Sequence, residues 1–280
     1  MIPHVKALEA AYQLHYYLTF KTHFLRPFLA IEAQRSCVVS TLRDVCEREQ
    51  YHLLESDIAP DNLRLLLSLK PDQSISRAVK MIKGNTDRSF SLNCPQVGFR
   101  KLWSRGYFAR TSGKVNVERA RAYVESQVSH HGYVGEWTRG LKFRNADFGS
   151  PAFQLRHGFC QLNYHLVFAT QDRIPVFDEE IAPGLFRLVM EIGKEHSFVL
   201  DRMSVLPDHM HLLIEAKPER SVEQCVIGLI ENVRLWMRER YFGVLKQTGA
   251  WDVLRPSYYA GSVGEYSTAQ VKRFLSGKAE

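Results

Sequence analysis

The sequence predicts an α+β fold built as two tandem copies of one domain, each an antiparallel sheet with helices packed on it. Three observations carry this. Tyr12–Leu29 (YQLHYYLTFKTHFLRPFL) lies over Cys160–Phe177 (CQLNYHLVFATQDRIPVF) with 7 of 18 positions identical and no gap. Pro60–Ile75 lies over Pro207–Val222, and Gly106–Gln127 over Ser257–Lys278, so the offsets are 148, 147 and 151. Three similar stretches in one order at nearly constant offset mark an internal repeat, which has to be found before any fold is assigned. Within each copy, strands and helices follow one another in the order of an antiparallel α+β layer structure.

The elements recur in step. Each copy opens on a strand with alternating apolar residues, Leu14, Tyr16, Leu18 and Phe20 or Leu162, Tyr164, Leu166 and Phe168. A helix follows over 31–49 or 179–196, then two strands over 51–58 and 63–69 or 198–205 and 210–216. A Pro-Asp turn joins each strand pair. A long helix comes next (75–92; 222–241), then an aromatic strand (107–111; 258–262) and a closing helix (117–127; 267–275). The expected domains are residues 1–145 and 156–280.

Composition is that of a globular protein, with 280 residues, 45% hydrophobic and 11% aromatic, which excludes a disordered tail. No run approaches the roughly 18 apolar residues of a membrane span. The N-terminus shows no secretory pattern, and the five cysteines include no CxxC pair, so a reducing cytoplasm is expected and a disulfide framework or cysteine zinc site is not. The net charge of +7 is uneven: residues 1–150 carry 22 Lys+Arg against 14 Asp+Glu, leaving 15 against 16 for 151–280. A basic half beside a neutral half points to a polyanion, nucleic acid first, although basic residues also serve solubility.

The second copy holds Pro207-Asp208-His209-Met210-His211-Leu212-Leu213-Ile214-Glu215. On a strand, His209 and His211 share one face and Met210 points to the other. Such a pair fits a shared divalent ion, and equally two unrelated surface histidines. In the first copy, Tyr123 and Gln127 lie four apart and share a helix face. A phenol oxygen can attack phosphorus and an amide oxygen can ligate a hard metal; a helix tyrosine is as readily a half-buried packing residue.

Together, PDHMHLLIE, the upstream YHLVFATQDRIPVF, the downstream RPSYYAGSVG and the Tyr/Gln helix resemble the single-tyrosine HUH transposases, both insertion-sequence and REP-associated. The resemblance implies two ferredoxin-like HUH domains. It makes His209, His211 and Gln127 metal ligands, for Mg2+ or Mn2+, and Tyr123 the nucleophile. Each copy departs from that pattern. Asn62 and Arg64 stand where the second copy has His209 and His211, and arginine, a permanent cation, ligates no metal. Phe274 and Lys278 stand where the first has Tyr123 and Gln127. The losses are complementary. A single-chain pseudo-dimer with one composite site is therefore expected, His209 and His211 meeting Tyr123 and Gln127.

The implied reaction nicks single-stranded or hairpin DNA through a 5′-phosphotyrosine, releasing a 3′-OH that can later be rejoined without ATP. Arg105, Arg110, Lys114, Arg119 and Arg121, near the Tyr123 helix, are candidate phosphate contacts, as are Arg64 and Lys278. Of Tyr107, Phe108, Tyr258 and Tyr259, one of each pair is expected to face DNA. The resemblance places the protein in the cytoplasm, on the nucleoid when bound to DNA, with further oligomerisation compatible with one tyrosine per chain. Three rivals remain: a decayed transposase that binds DNA hairpins without cutting, a site shared between two chains, and a metal hydrolase with no covalent step.

Overall fold

The computed structural model describes residues 8–95, 101–130, 141–250 and 252–277. The first half forms β1 (Glu9–Gln13), β2 (His15–Lys21), α1 (Glu32–Arg48), β3 (His52–Ala59), β4 (Asn62–Ser68), α2 (Ile75–Asn93), β5 (Phe108–Ser112) and α3 (Val117–His130). After a short strand, β6 (Lys142–Arg144), the series repeats as β7 (Phe159–Gln161), β8 (Asn163–Thr170), α4 (Ile181–His196), β9 (Phe198–Leu206), β10 (His209–Ala216) and α5 (Val222–Arg240). A short helix α6 (Phe242–Thr248) is inserted before β11 (Leu254–Val263) and α7 (Thr268–Leu275).

The local causes are legible in the residues. On β2 and β8 the alternate residues Tyr16, Leu18, Phe20 and Tyr164, Leu166, Phe168 are buried, as a strand with one face on the core requires. The helices α5 and α7 each open on a capping box, Ser221 with Gln224 and Ser267 with Gln270, which satisfies backbone N–H groups that the first helical turn leaves over. Two-residue Pro-Asp loops turn β3 into β4 and β9 into β10. In each copy the loop Asp carbonyl accepts from a threonine at the end of the opening strand: Thr22 N donates to Asp61 O and Thr170 N to Asp208 O, both at 2.8 Å. Even the tight backbone after that strand recurs, with positive φ at Phe24 and Leu25 and again at Asp172 and Arg173.

There are two sheets among the described residues, in strand orders β1-β11-β8-β10-β9-β6 and β3-β4-β2-β5-β7. The opening strands expected from Leu14 and Leu162 are β2 and β8, and each is preceded, across Leu14 or Leu162, by a further short strand that the sequence reading did not include. β1 runs parallel to β11 in the second half's sheet, and β7 runs parallel to β5 in the first half's. The halves thus exchange strand beginnings: β1 covers the β11 edge and β7 the β5 edge, each becoming the outer strand of the other half's sheet. A pseudo-twofold axis passes near Tyr16 and Tyr164, equivalent residues whose buried hydroxyls bond at 3.2 Å. Around it the contacts come in pairs: Thr111 Oγ1 donates to Val263 O at 2.6 Å and Ser262 Oγ donates to Ser112 O at 2.5 Å.

Where β5 and β11 cross, the backbones touch. A Cβ on Gly113 would lie 2.0 Å from Ser262 O, and one on Gly264 would lie 2.0 Å from Thr111 O. Only glycine permits that approach. Immediately beyond this crossing each closing helix passes to the other half. α3 packs Ala120 and Val124 against Leu213 of β10, and α7 packs Val271 and Leu275 against Leu66 of β4.

Candidate active site

β10 presents alternate residues to two sides. Met210, Leu212 and Ile214 enter the main core, while Leu213, on the side of His209 and His211, meets α3. The helix is pinned there by polar contacts: Arg121 Nε donates to Asp201 Oδ2 at 2.8 Å, Arg202 pairs with Glu125, and Ser204 Oγ donates to the Val124 carbonyl. The outcome is that Tyr123, from the first half, stands edge-on to His211 of the second, with ring centroids 5.9 Å apart at 76°. Tyr123 is 47% exposed, whereas both histidines are buried.

The two imidazoles lie 5.1 Å apart, centroid to centroid. His209 Nδ1 is held by Asp208 Oδ1 at 2.6 Å. Burial works to raise the Asp208 carboxyl, but its bond to His209 and the charges of His209 and Arg173 outweigh it and hold the group below the usual carboxylate range. His211 Nδ1 bonds to Nε2 of a third histidine, His165 on β8, at 3.0 Å, and the two rings lie nearly in one plane, 11° from parallel with centroids 5.3 Å apart. Burial pushes the His165 imidazole down to about 4, so it is neutral near pH 7. The sequence reading missed His165. The signal was available: β8 neighbours β10, and His165 alternates out of phase with Tyr164 and Leu166, on the same side as His211.

Gln127 follows Tyr123 by one turn and is 2% exposed. Its Nε2 donates to the Tyr123 carbonyl at 3.1 Å, so the amide oxygen is the end that a cation would take. Among the described residues, no three His, Cys, Asp or Glu side chains gather as a metal cage. Gln127 offers a donor of another type, an amide oxygen, which hard divalent ions accept. By its chemistry the donor set suits one such ion; with Nδ1 of each histidine engaged, a histidine ligating here would do so through Nε2.

Beside Tyr123 opens a cleft of about 500 Å³, lined by Lys114, Arg119, His165, Tyr259 and Gln13 among others. Of the cationic residues singled out in the sequence, Lys114 and Arg119 therefore border Tyr123. Arg121 is tied to Asp201 and Glu118, both at 2.8 Å, and Arg110 pairs with Glu265 while lying 4.7 Å over the Phe159 ring. Arg105 lines a separate cleft with Lys21 and His157. Lys278 lies outside the described residues. As alternation on a strand requires, Tyr258 is buried while Tyr259 is 40% exposed at the cleft; Tyr107 and Phe108 are both half-buried.

The equivalent place in the other half has the same frame and different chemistry. Tyr17, Asn62, Arg64 and Phe274 occupy the positions of His165, His209, His211 and Tyr123. Arg64 Nη1 lies 3.0 Å from Asp57 Oδ2, and its guanidinium lies 5.4 Å over the Phe274 ring. The Tyr266, Gln270 and Val271 side chains complete an apolar cleft of about 370 Å³ there.

Duplicated α+β halves that exchange their closing helices, one bringing a tyrosine to the histidine pair of the other, define a tandem pseudo-dimer with one such constellation among the described residues. The chain belongs to the IS200-like transposase family, whose profile matches it twice, over residues 10–127 and 159–278. It is 28% identical over 118 residues to the ISDra2 transposase TnpA of Deinococcus radiodurans, covering 42% of this chain and 84% of that one. It is likewise 28% identical over 117 residues to the transposase for insertion sequence element IS200 of Salmonella typhimurium, covering 40% and 76%. A solved REP-associated tyrosine transposase bound to a REP hairpin is 15% identical with a TM-score of 0.30, over 43% of this chain and 70% of that one.

Proposed function

We propose that this chain nicks and rejoins single-stranded DNA at one composite site, with Tyr123 as nucleophile and His209, His211 and Gln127 as ligands of a divalent ion, Mg2+ or Mn2+. The observation that carries the reading is the edge-on packing of Tyr123, from one half, on His211 of the other at 5.9 Å. The Tyr123 oxygen attacks the scissile phosphorus in line, the bond to the 3′-oxygen breaks, and that oxygen leaves with the electron pair and takes up a proton. The product is a 5′-phosphotyrosine, and the same step run backwards onto another 3′-OH rejoins a strand. When bound, the ion supplies Lewis acidity to the phosphate and offsets charge developing on it. The α3 helix keeps Tyr123 and Gln127 on one face, so that nucleophile and ligand are presented together.

Lys114 and Arg119 track the phosphates of the strand that enters the cleft, and Tyr259 offers a ring for a base to stack on. An unpaired strand beside a hairpin suits the site, because a flexible backbone lets one phosphate be bent toward Tyr123. In the silent half Arg64 contributes a further phosphate contact. One tyrosine per chain suits one cut at a time, so two-ended transfer takes two chains.

The test is incubation of the full chain with a hairpin-bearing single-stranded oligonucleotide and Mn2+. A denaturation-resistant protein–DNA adduct is expected, and Tyr123→Phe should bring it below detection. Strand cleavage that persists in Tyr123→Phe would contradict the covalent route.

A further inference from the structure

The geometry points to His165 as a positioning residue that fixes the ring of His211 and decides which of its nitrogens faces the metal. The inference rests on the reading of the site given above and adds to it a residue outside the His-x-His pair. Each imidazole of the pair is held through Nδ1: His209 by Asp208 Oδ1 at 2.6 Å, His211 by His165 Nε2 at 3.0 Å. A histidine that ligates through Nε2 needs its lone pair there and its proton on Nδ1, and the group that accepts that proton sets both tautomer and ring orientation. Asp208 does this for His209. For His211 the acceptor is the Nε2 lone pair of His165.

The ring geometry argues the same way. The His165 and His211 rings lie 11° from parallel with centroids 5.3 Å apart, so the 3.0 Å bond runs in the plane of both rings, along the direction of a nitrogen lone pair, and turning His211 about its Cβ–Cγ bond would break it. His165 also stands edge-on to Tyr123 at 5.6 Å and to Tyr259 at 5.9 Å. It therefore borders the nucleophile, a candidate ligand and the cleft at once.

The silent half provides an internal comparison. There Asp61 keeps the place of Asp208, because its carbonyl still accepts from Thr22 and its carboxylate from Asn62 Nδ2 at 2.7 Å. Tyr17 takes the place of His165, in the half where the histidine pair is gone. A loop residue with a folding role has stayed. An imidazole whose role is to hold another imidazole has not. Packing alone would not require histidine at 165, since the same sheet position accepts a tyrosine in the twin.

The experiment measures Mn2+ binding to the full chain, without DNA, from the electron paramagnetic resonance signal of the free ion. Thermal unfolding in chelator is the control for folding. His209→Ala tests the metal reading itself: if wild type binds no Mn2+, or His209→Ala binds it as well as wild type does, that reading fails and the role of His165 fails with it. If His209→Ala does lose the ion, two variants decide the inference. His165→Phe keeps a flat ring at the position and removes the acceptor; Mn2+ affinity is expected to fall about ten- to a hundredfold, as for other groups that orient a ligand. His165→Gln places an amide oxygen where Nε2 sat and is expected to bind close to wild type. Wild-type affinity in a folded His165→Phe overturns the inference. Should His165→Phe fail to fold, a loss in His165→Gln as large as that in His209→Ala overturns it.

Discussion

At the scale of single residues, the site's cations divide by what they already touch. Lys114 and Arg119 line the cleft beside Tyr123, whereas Arg121 is engaged by Asp201 and Glu118. Lys114→Ala is therefore expected to weaken single-stranded DNA binding for every sequence alike and to reduce the slope of log affinity against log salt by about 0.7. Arg121→Ala should instead lower the unfolding midpoint, because it strips the buried Asp201 carboxylate of the closer of its two guanidinium partners, leaving Arg202 at 3.3 Å. Salt titrations and thermal melts of both variants separate the two effects. Glu215, the last residue of the motif, takes a different part. It is fully buried and accepts from Ala152 N at 2.7 Å and Ser150 Oγ at 2.8 Å, fastening the segment between the halves. Burial raises its carboxyl above the usual value. A raised carboxyl contributes stability that is whole below the unfolded value near 4.5 and is lost as pH rises through the folded value. Glu215→Gln should thus gain on wild type in urea unfolding between pH 4 and pH 7. A constant difference across that range would count against it.

At the scale of elements, α3 decides whether Tyr123 meets His211. It is held by Ala120 and Val124 against Leu213 and Val263, and by the ion pairs at its two flanks. Val124→Ala removes two buried methyl groups, and a loss of roughly 1–2 kcal/mol is expected in denaturant unfolding. Adduct formation should fall further than binding does, since a loosened helix misplaces Tyr123 while Lys114 can still meet DNA. Most of these elements were legible beforehand. The alternation at Tyr16, Leu18 and Phe20 and the Pro-Asp turns act locally, and the strands and helices fall within two residues of their expected ends, save where β11 begins earlier, at Leu254, and α3 runs on to His130. The short strands ahead of β2 and β8 were not legible. Nothing near Leu14 announces that Glu9–Gln13 pairs with a strand almost 250 residues away. Nor did composition mark β6, three residues long and dependent on β9 for its hydrogen bonds. Parallel pairing between distant segments is fixed by the assembled sheets and leaves little local trace. His165 escaped for another reason: its strand was read for its core face, and it lies on the other.

At the scale of the whole molecule, the exchange of strands and helices means that neither half completes its own sheet. Residues 1–145 lack β7, and 156–280 lack β1 and α3. Co-expressed as separate chains, the halves are expected to purify together, and each alone to lose cooperative unfolding or to pair with itself. Size-exclusion chromatography and melts distinguish these outcomes, and two stable monomeric halves would contradict the interlocked architecture. The Gly113–Gly264 crossing is the point on which that architecture turns. Gly113→Ala puts a carbon 2.0 Å from Ser262 O, so its stability should drop by far more than the 0.5–1 kcal/mol or so by which glycine and alanine differ in backbone freedom. Complementary loss of His pair and tyrosine is the pattern that crossed helices would leave if one of the two sites were kept and the other released.

The most direct measurement of the central claim is complementation between two inactive chains. Tyr123→Phe and His209→Ala are mixed with the hairpin-bearing oligonucleotide and Mn2+, and adduct is followed on a denaturing gel. Because α3 of one chain already lies on β10 of that same chain, the mixture is expected to stay as inactive as either variant alone. Recovery of adduct toward half the wild-type level would mean that the tyrosine of one molecule serves the histidines of another, and would contradict a site built within a single chain.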